Sequence, residues 1–215
     1  IPQEDINVYD VTGAGDTFMG ILSYMISKNI DLVNSLKISS LACIKIVQKK
    51  HTAILKFDEF QKLIEEFCND NFLSLELKIK LWKLARFKIG VTNGCFDVLH
   101  SGHLHLLGEA KKNCDKLIVL VNSDSSIKKI KGKNRPILKL KKRIELLKML
   151  KNVDDVQYFN ENTPEKSLSK ILPDILFKGS DYKIADVVGN KLVTNNGGKI
   201  KIIDKLKNFS STKLI

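Results

Sequence analysis

His100 and His103 stand three residues apart in the stretch Thr92-Asn93-Gly94-Cys95-Phe96-Asp97-Val98-Leu99-His100-Ser101-Gly102-His103. Imidazole nitrogens donate hydrogen bonds to an anion. Gly102 between them carries no side chain, so a phosphate or an adenine ring can come close to the backbone. Phe87 to Thr92 (FKIGVT) has the composition of a short strand, Asn93-Gly94 punctuates it, and Leu104 to Lys112 has helical spacing, with Leu104, Leu106, Leu107 and Ala110 on its apolar positions. The two histidines therefore fall at a helix N-terminus, where unpaired N–H groups and the macrodipole favour an anion such as a nucleoside triphosphate. Zinc is the competing ligand for His100, His103 and His105. No second Cys or His cluster lies at ligand spacing, and Cys95 is not part of a CxxC pair.

The elements that must position these groups alternate. Strands are expected near 88–92, 117–121, 155–159, 174–178 and 199–203, with helices near 102–113, 139–150 and 164–172. Apolar strands joined by helical crossovers argue an α/β fold with a parallel sheet covered on both faces. Ligands bind such sheets at the carboxyl ends of the strands. The histidine motif, Asn122-Ser123-Asp124 and Lys178-Gly179-Ser180-Asp181-Tyr182 each follow an expected strand, so the three converge on one rim. Upstream, helices are expected over Thr17–Ser27, Leu32–Lys49 and Phe57–Cys68, then a linking helix Leu73–Arg86.

These motifs together resemble the cytidylyltransferase-type nucleotidyltransferases, a Rossmann-like superfamily marked by HxGH. Lys128, Lys131-Gly132, Arg135-Pro136 and Arg143 follow in order, and Ser210-Ser211-Thr212-Lys213 is similar to the superfamily's late Ser/Thr motif. Within it the resemblance narrows to the adenylyltransferase half of the bifunctional heptose 7-phosphate kinase/heptose 1-phosphate adenylyltransferases of Gram-negative bacteria. That resemblance implies transfer of AMP from ATP to D-glycero-β-D-manno-heptose 1-phosphate, giving ADP-heptose and pyrophosphate for lipopolysaccharide core biosynthesis. It also implies Mg2+ with the ATP. His100, His103 and Lys128 are the catalytic candidates. Thr92, Asn93, Gly94, Cys95, Phe96, Asp97, Gly102, Asn122, Asp124, Gly179, Asp181, Ser211 and Thr212 are candidates for the nucleotide side, and Lys131, Arg135 and Arg143 for the substrate phosphates. Asp97 is the candidate Mg2+ ligand, or equally a cap of the histidine turn. Arg143 reads equally as a helix-surface charge, and Ser211-Thr212 as the N-cap of a last helix.

The first residues point the same way. Asp10-Val11-Thr12-Gly13-Ala14-Gly15-Asp16-Thr17-Phe18 resembles the GAGD signature of ribokinase-like sugar kinases. Gly13, Ala14 and Gly15 offer N–H groups at a helix start, an anion hole for a phosphoryl group, and Asp16 is the residue the resemblance makes the base. The expected organisation is a C-terminal kinase fragment over 1–70, the linking helix over 71–86 and an HxGH nucleotidyltransferase domain over 87–215. An incomplete ribokinase-like α/β segment thus precedes a Rossmann-like domain, and no kinase activity is expected from the fragment.

The charge is lopsided. Residues 1–84 hold 10 Lys+Arg against 11 Asp+Glu, whereas 85–215 hold 26 against 13. Lys128 to Arg143 carries nine basic residues and no acidic one, which suits a loop closing over triphosphate and sugar phosphate. A nucleic-acid patch is the alternative, but the stretch has no interleaved aromatics and the chain no helix-turn-helix or RNA-binding signature. Lys outnumbers Arg 33 to 3, so part of the excess is compositional. No apolar run reaches the roughly 20 residues of a membrane span. Cys43, Cys68, Cys95 and Cys114 show no paired spacing and read as free thiols of a cytoplasmic protein. The expected partners are ATP and a sugar 1-phosphate, without specific nucleic acid or membrane, in a homo-oligomer. A glycerol 3-phosphate cytidylyltransferase, a scaffold without turnover and a basic nucleic-acid binder remain as alternatives.

Overall fold

The computed structural model describes residues 8–49, 53–70 and 72–204. The chain divides into two compact units, Ile1–Arg86 and Phe87–Ile215.

Among its described residues the first unit holds four helices: α1 (Ala14–Ser27), α2 (Leu32–Val47), α3 (Phe57–Cys68) and α4 (Leu75–Leu84). Asp31 caps α2 by accepting from Asn34 N, and Ser74 caps α4 by accepting from Leu77 N, each satisfying one orphan donor of the first turn. Met25, Ile38, Ala42, Ile46, Leu63 and Ile64 are fully buried and form this unit's apolar interior. Ser35 and Ser39 are buried with them, their hydroxyls bonded back to the carbonyls of Ile30 and Ser35. Gly13 takes the left-handed φ of 81° as the N-cap of α1, and Asp16 lies exposed in that helix's first turn.

Among its described residues the second unit is built on a five-stranded, wholly parallel sheet. Its elements run β1 (Ile89–Gly94), α5 (Ser101–Lys111), β2 (Lys116–Asn122), α6 (Asp124–Lys131), α7 (Leu140–Lys148), β3 (Asp155–Phe159), α8 (Glu165–Ile171), β4 (Ile175–Gly179), a 3-10 turn (Ile184–Asp186), α9 (Asn190–Asn195) and β5 (Lys199–Ile203). The strand order is β3-β2-β1-β4-β5, so the chain reverses its direction of winding between β1 and β4. Leu117 to Val121 are all completely buried, as a central strand covered on both faces requires. Gly90 sits where β1 meets its neighbours most closely; a Cβ there would lie 2.6 Å from both Cys114 Sγ and Phe177 Cε2. At the opposite end of the sheet from the histidine motif, Asp115, Asp154 and Asp174 accept from Lys88 N, Leu117 N and Ile89 N.

Two elements depart from the sequence reading. Lys128 to Lys131 form the last turn of α6 instead of a loop. Ser123 caps that helix by accepting from Ser126 N, Asp124 lies in its first turn, and Lys128, Lys129 and Lys131 lie in its last, so the charges complement the macrodipole at both ends. Ile127 is its buried anchor, and Gly132 ends it with a φ of 94°. The short α9 has no side-chain cap and only six residues, too few for a periodic signal. No helix among the described residues is long and apolar enough to cross a membrane, and all four cysteines are free thiols.

Candidate active site

The switch between β1 and β4 opens onto a cavity of about 700 Å³ at the carboxyl ends of the strands. β1 runs into its wall through Asn93 and Gly94, and Cys95, Phe96 and Asp97 continue it. Phe96 holds a left-handed φ of 46°, uncommon for a bulky residue. Burial holds it there: only 3% of it is exposed, and its ring centroid lies 5.0 Å from that of His103.

His100 is the N-cap of α5, its Nδ1 accepting a hydrogen bond from Gly102 N at 3.1 Å. An accepting Nδ1 leaves the ring proton on Nε2 in the neutral form. The ring stacks on His103 at 3.9 Å between centroids, tilted by 32°. His103, the more buried of the two, lines the cavity. Burial pushes its pKa down to about 4, helped by His100 and Lys131, with the Val98 backbone pulling weakly the other way. His100 is also lowered, by burial and then by Lys131. Both rings are therefore neutral near pH 7 and offer donors and dipoles rather than charge.

Asp97 faces protein donors. It is 4% exposed, and both carboxylate oxygens are occupied: Oδ2 accepts from Arg135 Nη1 at 2.8 Å, and Oδ1 from Ile137 N and Leu138 N at 2.7 and 3.1 Å. It clamps the segment after α6 against the end of β1, in place of the expected Mg2+ contact. Among the described residues no group of three His, Cys, Asp or Glu is placed to hold a metal ion. Burial raises the Asp97 pKa, but the Arg135 hydrogen bond, the Leu138 and Ile137 N–H groups and the Arg135 charge outweigh it and hold the carboxyl below its ordinary value. A depressed carboxylate contributes stability above its unfolded pKa of roughly 4 and loses it as pH falls through the folded value. Asp97→Asn is accordingly expected to destabilise the second unit by about 3 kcal/mol at pH 7, with the difference shrinking toward pH 3. Thermal unfolding of the pair at pH 7, 5 and 3 checks this, and an equal gap at all three values refutes it.

Arg143 is corrected more sharply. It is 1% exposed, and its guanidinium is spent inward: Nε donates to Leu138 O, Nη1 to the carbonyls of Cys95 and Asn122, and Nη2 to Asp124 Oδ1, at 2.7 to 3.0 Å. It ties the ends of β1 and β2 to α6 and cannot also serve a substrate phosphate. Lys128 is exposed on α6 outside the cavity, whereas Lys131, three residues on, lines it. Arg135, Asn122 and Asp181 line it as well, with Asn122 Nδ2 donating to Ser126 Oγ. Thr92, Gly102, Asp124 and Gly179 do not line the cavity. His105 lies apart, its Nε2 3.1 Å from Asp204 O. Ser211 and Thr212 lie outside the described residues. Gly13, Ala14, Gly15 and Asp16 belong to the first unit.

Sequence reasoning assigned no role to Lys178, which lines the cavity from the carboxyl end of β4. It is 7% exposed, its Nζ lies 3.4 Å from Asn93 O and 4.9 Å from the centre of the Tyr182 ring, and burial lowers its pKa to about 8. The available signal was a lysine inside an otherwise apolar strand, Ile175-Leu176-Phe177-Lys178.

A parallel sheet with a winding switch, and a paired-histidine helix N-terminus facing the cavity at that switch, define a nucleotidyltransferase-type α/β domain. Residues 91–215 match the cytidylyltransferase-like family, and the chain belongs to it. Along its whole length the chain is 39% identical to the bifunctional protein HldE of Granulibacter bethesdensis and 40% identical to that of Nitrobacter winogradskyi. Each alignment covers 46% of the relative, so the chain spans about half the length of the curated relatives it matches. Among solved structures, the lipopolysaccharide core biosynthesis protein from Thermoplasma volcanium is 32% identical over 57% of this chain and 99% of that one, with a TM-score of 0.47.

Proposed function

We propose that the second unit transfers AMP from ATP to D-glycero-β-D-manno-heptose 1-phosphate, releasing pyrophosphate and forming ADP-heptose for lipopolysaccharide core biosynthesis. The observation that carries this reading is His103, backed by His100 and approached by Lys131, at a helix N-terminus facing a cavity large enough for both reactants. The sugar phosphate is supported by the GAGD segment upstream of HxGH, together with identity along the whole chain to proteins named as bifunctional. A glycerol 3-phosphate cytidylyltransferase is not favoured.

An oxygen of the sugar phosphate attacks the α-phosphorus of ATP, and the bond from that phosphorus to the bridging oxygen of pyrophosphate breaks. The nucleophile is already an anion, so no side chain has to remove a proton. Catalysis then consists of positioning and of stabilising charge on the phosphoryl oxygens. His103 donates to the triphosphate, His100 fixes the first turn of α5 and buttresses the His103 ring, and Lys131 neutralises charge from the end of α6. Mg2+ is the ion the resemblance implies for ATP. Asp97, with both oxygens bonded to protein donors, does not fit it as a ligand.

The assignment is tested by pyrophosphate release with ATP or CTP against heptose 1-phosphate and glycerol 3-phosphate. Turnover is expected with ATP and heptose 1-phosphate, and a preference for CTP with glycerol 3-phosphate overturns it. The two lysines of α6 divide the enzyme reading from a nucleic-acid patch. Lys131→Ala is expected to lower kcat/KM by about 10- to 100-fold through a lost charge-assisted phosphate contact, and Lys128→Ala by less than about threefold. Equal losses, joined by tight, salt-sensitive binding of duplex DNA or RNA, favour the patch.

A further inference from the structure

Two anions must meet in this cavity, and the residues given roles so far serve one of them. His103 and Lys131 lie on its α5–α6 side, where Lys131 acts on both imidazoles. Lys178 enters from β4, the strand on the far side of β1 from β2. The Cys95 thiol feels both Lys131 and Lys178, and all three line the cavity.

Lys178 is a buried ammonium with little to hold it. An ammonium has three donors, and burying a charge without a partner is costly. Among the described residues Nζ has one hydrogen bond, long at 3.4 Å, to Asn93 O, and the face of Tyr182. Asn93 lines the same cavity, and its side-chain Oδ1 is buried with no hydrogen-bond donor. An unfilled donor set and an orphaned acceptor thus sit together at the ends of β1 and β4. A sugar phosphate has the complementary groups, a phosphate dianion and hydroxyl donors.

We infer that Lys178 and Asn93 form the acceptor subsite: Lys178 holds the phosphate of the incoming sugar phosphate, and Asn93 Oδ1 accepts from one of its hydroxyls. This rests on the adenylyl-transfer reading. Triphosphate and sugar phosphate repel each other at bonding distance, and separate cations, Lys131 from α6 and Lys178 from β4, let them approach. As the acceptor oxygen bonds to the α-phosphorus and pyrophosphate leaves, Lys178 keeps its proton and lowers repulsion without taking part in proton transfer.

The charge of Lys178 also supplies a readout. Cys95 and Asp97 from the end of β1, Asp181 and Tyr182 after β4, His103 of α5, Lys131 of α6 and Arg135 beyond it are the titratable and charged groups around Lys178 in the cavity. Burial lowers Lys178 to about 8, so the phosphate-binding form is lost as pH rises through that value. Arginine stays charged throughout this range.

Calorimetric titration of the full chain with heptose 1-phosphate, and separately with a non-hydrolysable ATP analogue, tests the assignment at pH 7 and 9. In the parent, sugar-phosphate affinity is expected to fall about tenfold between these pH values, following the ammonium fraction. Lys178→Gln is expected to weaken sugar-phosphate binding at pH 7 by about tenfold or more while leaving the ATP analogue within about twofold. Lys178→Arg retains part of the affinity and loses the pH dependence. Unchanged sugar-phosphate affinity in Lys178→Gln, or a loss confined to the ATP analogue, overturns the inference, as does a pH 7-to-9 fall persisting in Lys178→Arg. The arginine variant decides alone if the glutamine variant does not fold. If the parent releases no pyrophosphate with any nucleotide, the adenylyl-transfer reading fails, and the same titrations with inorganic phosphate still judge the subsite.

Discussion

His103→Ala is expected to lower turnover by roughly 10²-fold or more, the usual consequence of removing one preorganised donor from an anion site. The structure sharpens what is lost. With its pKa pushed down to about 4, His103 is neutral across the physiological range in the free protein, so the loss is of a fixed donor and not of a cation. Its ring packs against those of Phe96 and His100, at 5.0 and 3.9 Å between centroids, which limits reorganisation when charge develops. His100→Ala acts differently. It removes the cap of α5, worth about 1 kcal/mol, and one of the two rings that hold His103, so its effect on turnover should be smaller and its effect on stability larger. Steady-state kinetics and thermal unfolding of both variants check this contrast. A His103→Ala rate within threefold of the parent, at retained fold, removes His103 from the chemistry.

The parts of this molecule legible in the sequence are those written in neighbouring residues. The apolar run Leu117 to Val121 is a buried strand whatever surrounds it, and Phe57–Cys68 shows its apolar stripe without tertiary help. The histidine turn was legible because strand, Asn-Gly break, capping side chain and helix occupy one contiguous stretch. What was hidden depends on partners far apart in the chain. Asp97 has the look of a cap or a metal ligand until Arg135, Ile137 and Leu138 fold back onto it. The basic run after Asp124 suggested a phosphate-closing loop, because the Ser123 cap and the buried Ile127 that make α6 a helix are weak signals beside its charge. Lys178 stands at the head of a motif legible in the sequence, but its burial, which makes the charge informative, depends on the packing of β4 against β1. In each case charge alone did not tell whether a group faces a ligand or another part of the protein.

Arg143 shows how far that distinction reaches, and its replacement carries the largest expected effect on stability. Arg143→Met keeps much of the apolar volume but leaves the carbonyls of Leu138, Cys95 and Asn122 and the Asp124 carboxylate without their buried donor. Removing one member of a buried charged network costs about 4 kcal/mol, against roughly 1 kcal/mol or less for a surface ion pair. For a unit of this size that corresponds to a fall of roughly 10 °C or more in melting temperature. Arg143→Lys should recover only part of the loss, since a single ammonium cannot span four acceptors that converge from different directions. Activity should fall in step with folding, because Cys95 and Asn122, whose carbonyls Arg143 holds, also line the cavity. A phosphate-binding arginine behaves in the reverse way, with KM for a phosphorylated substrate rising sharply while the melting temperature holds. Unfolding curves and KM values for Arg143→Met and Arg143→Lys therefore separate the two roles, and a melting temperature within about 2 °C of the parent, with weakened ATP or sugar-phosphate binding, restores Arg143 to the substrate site.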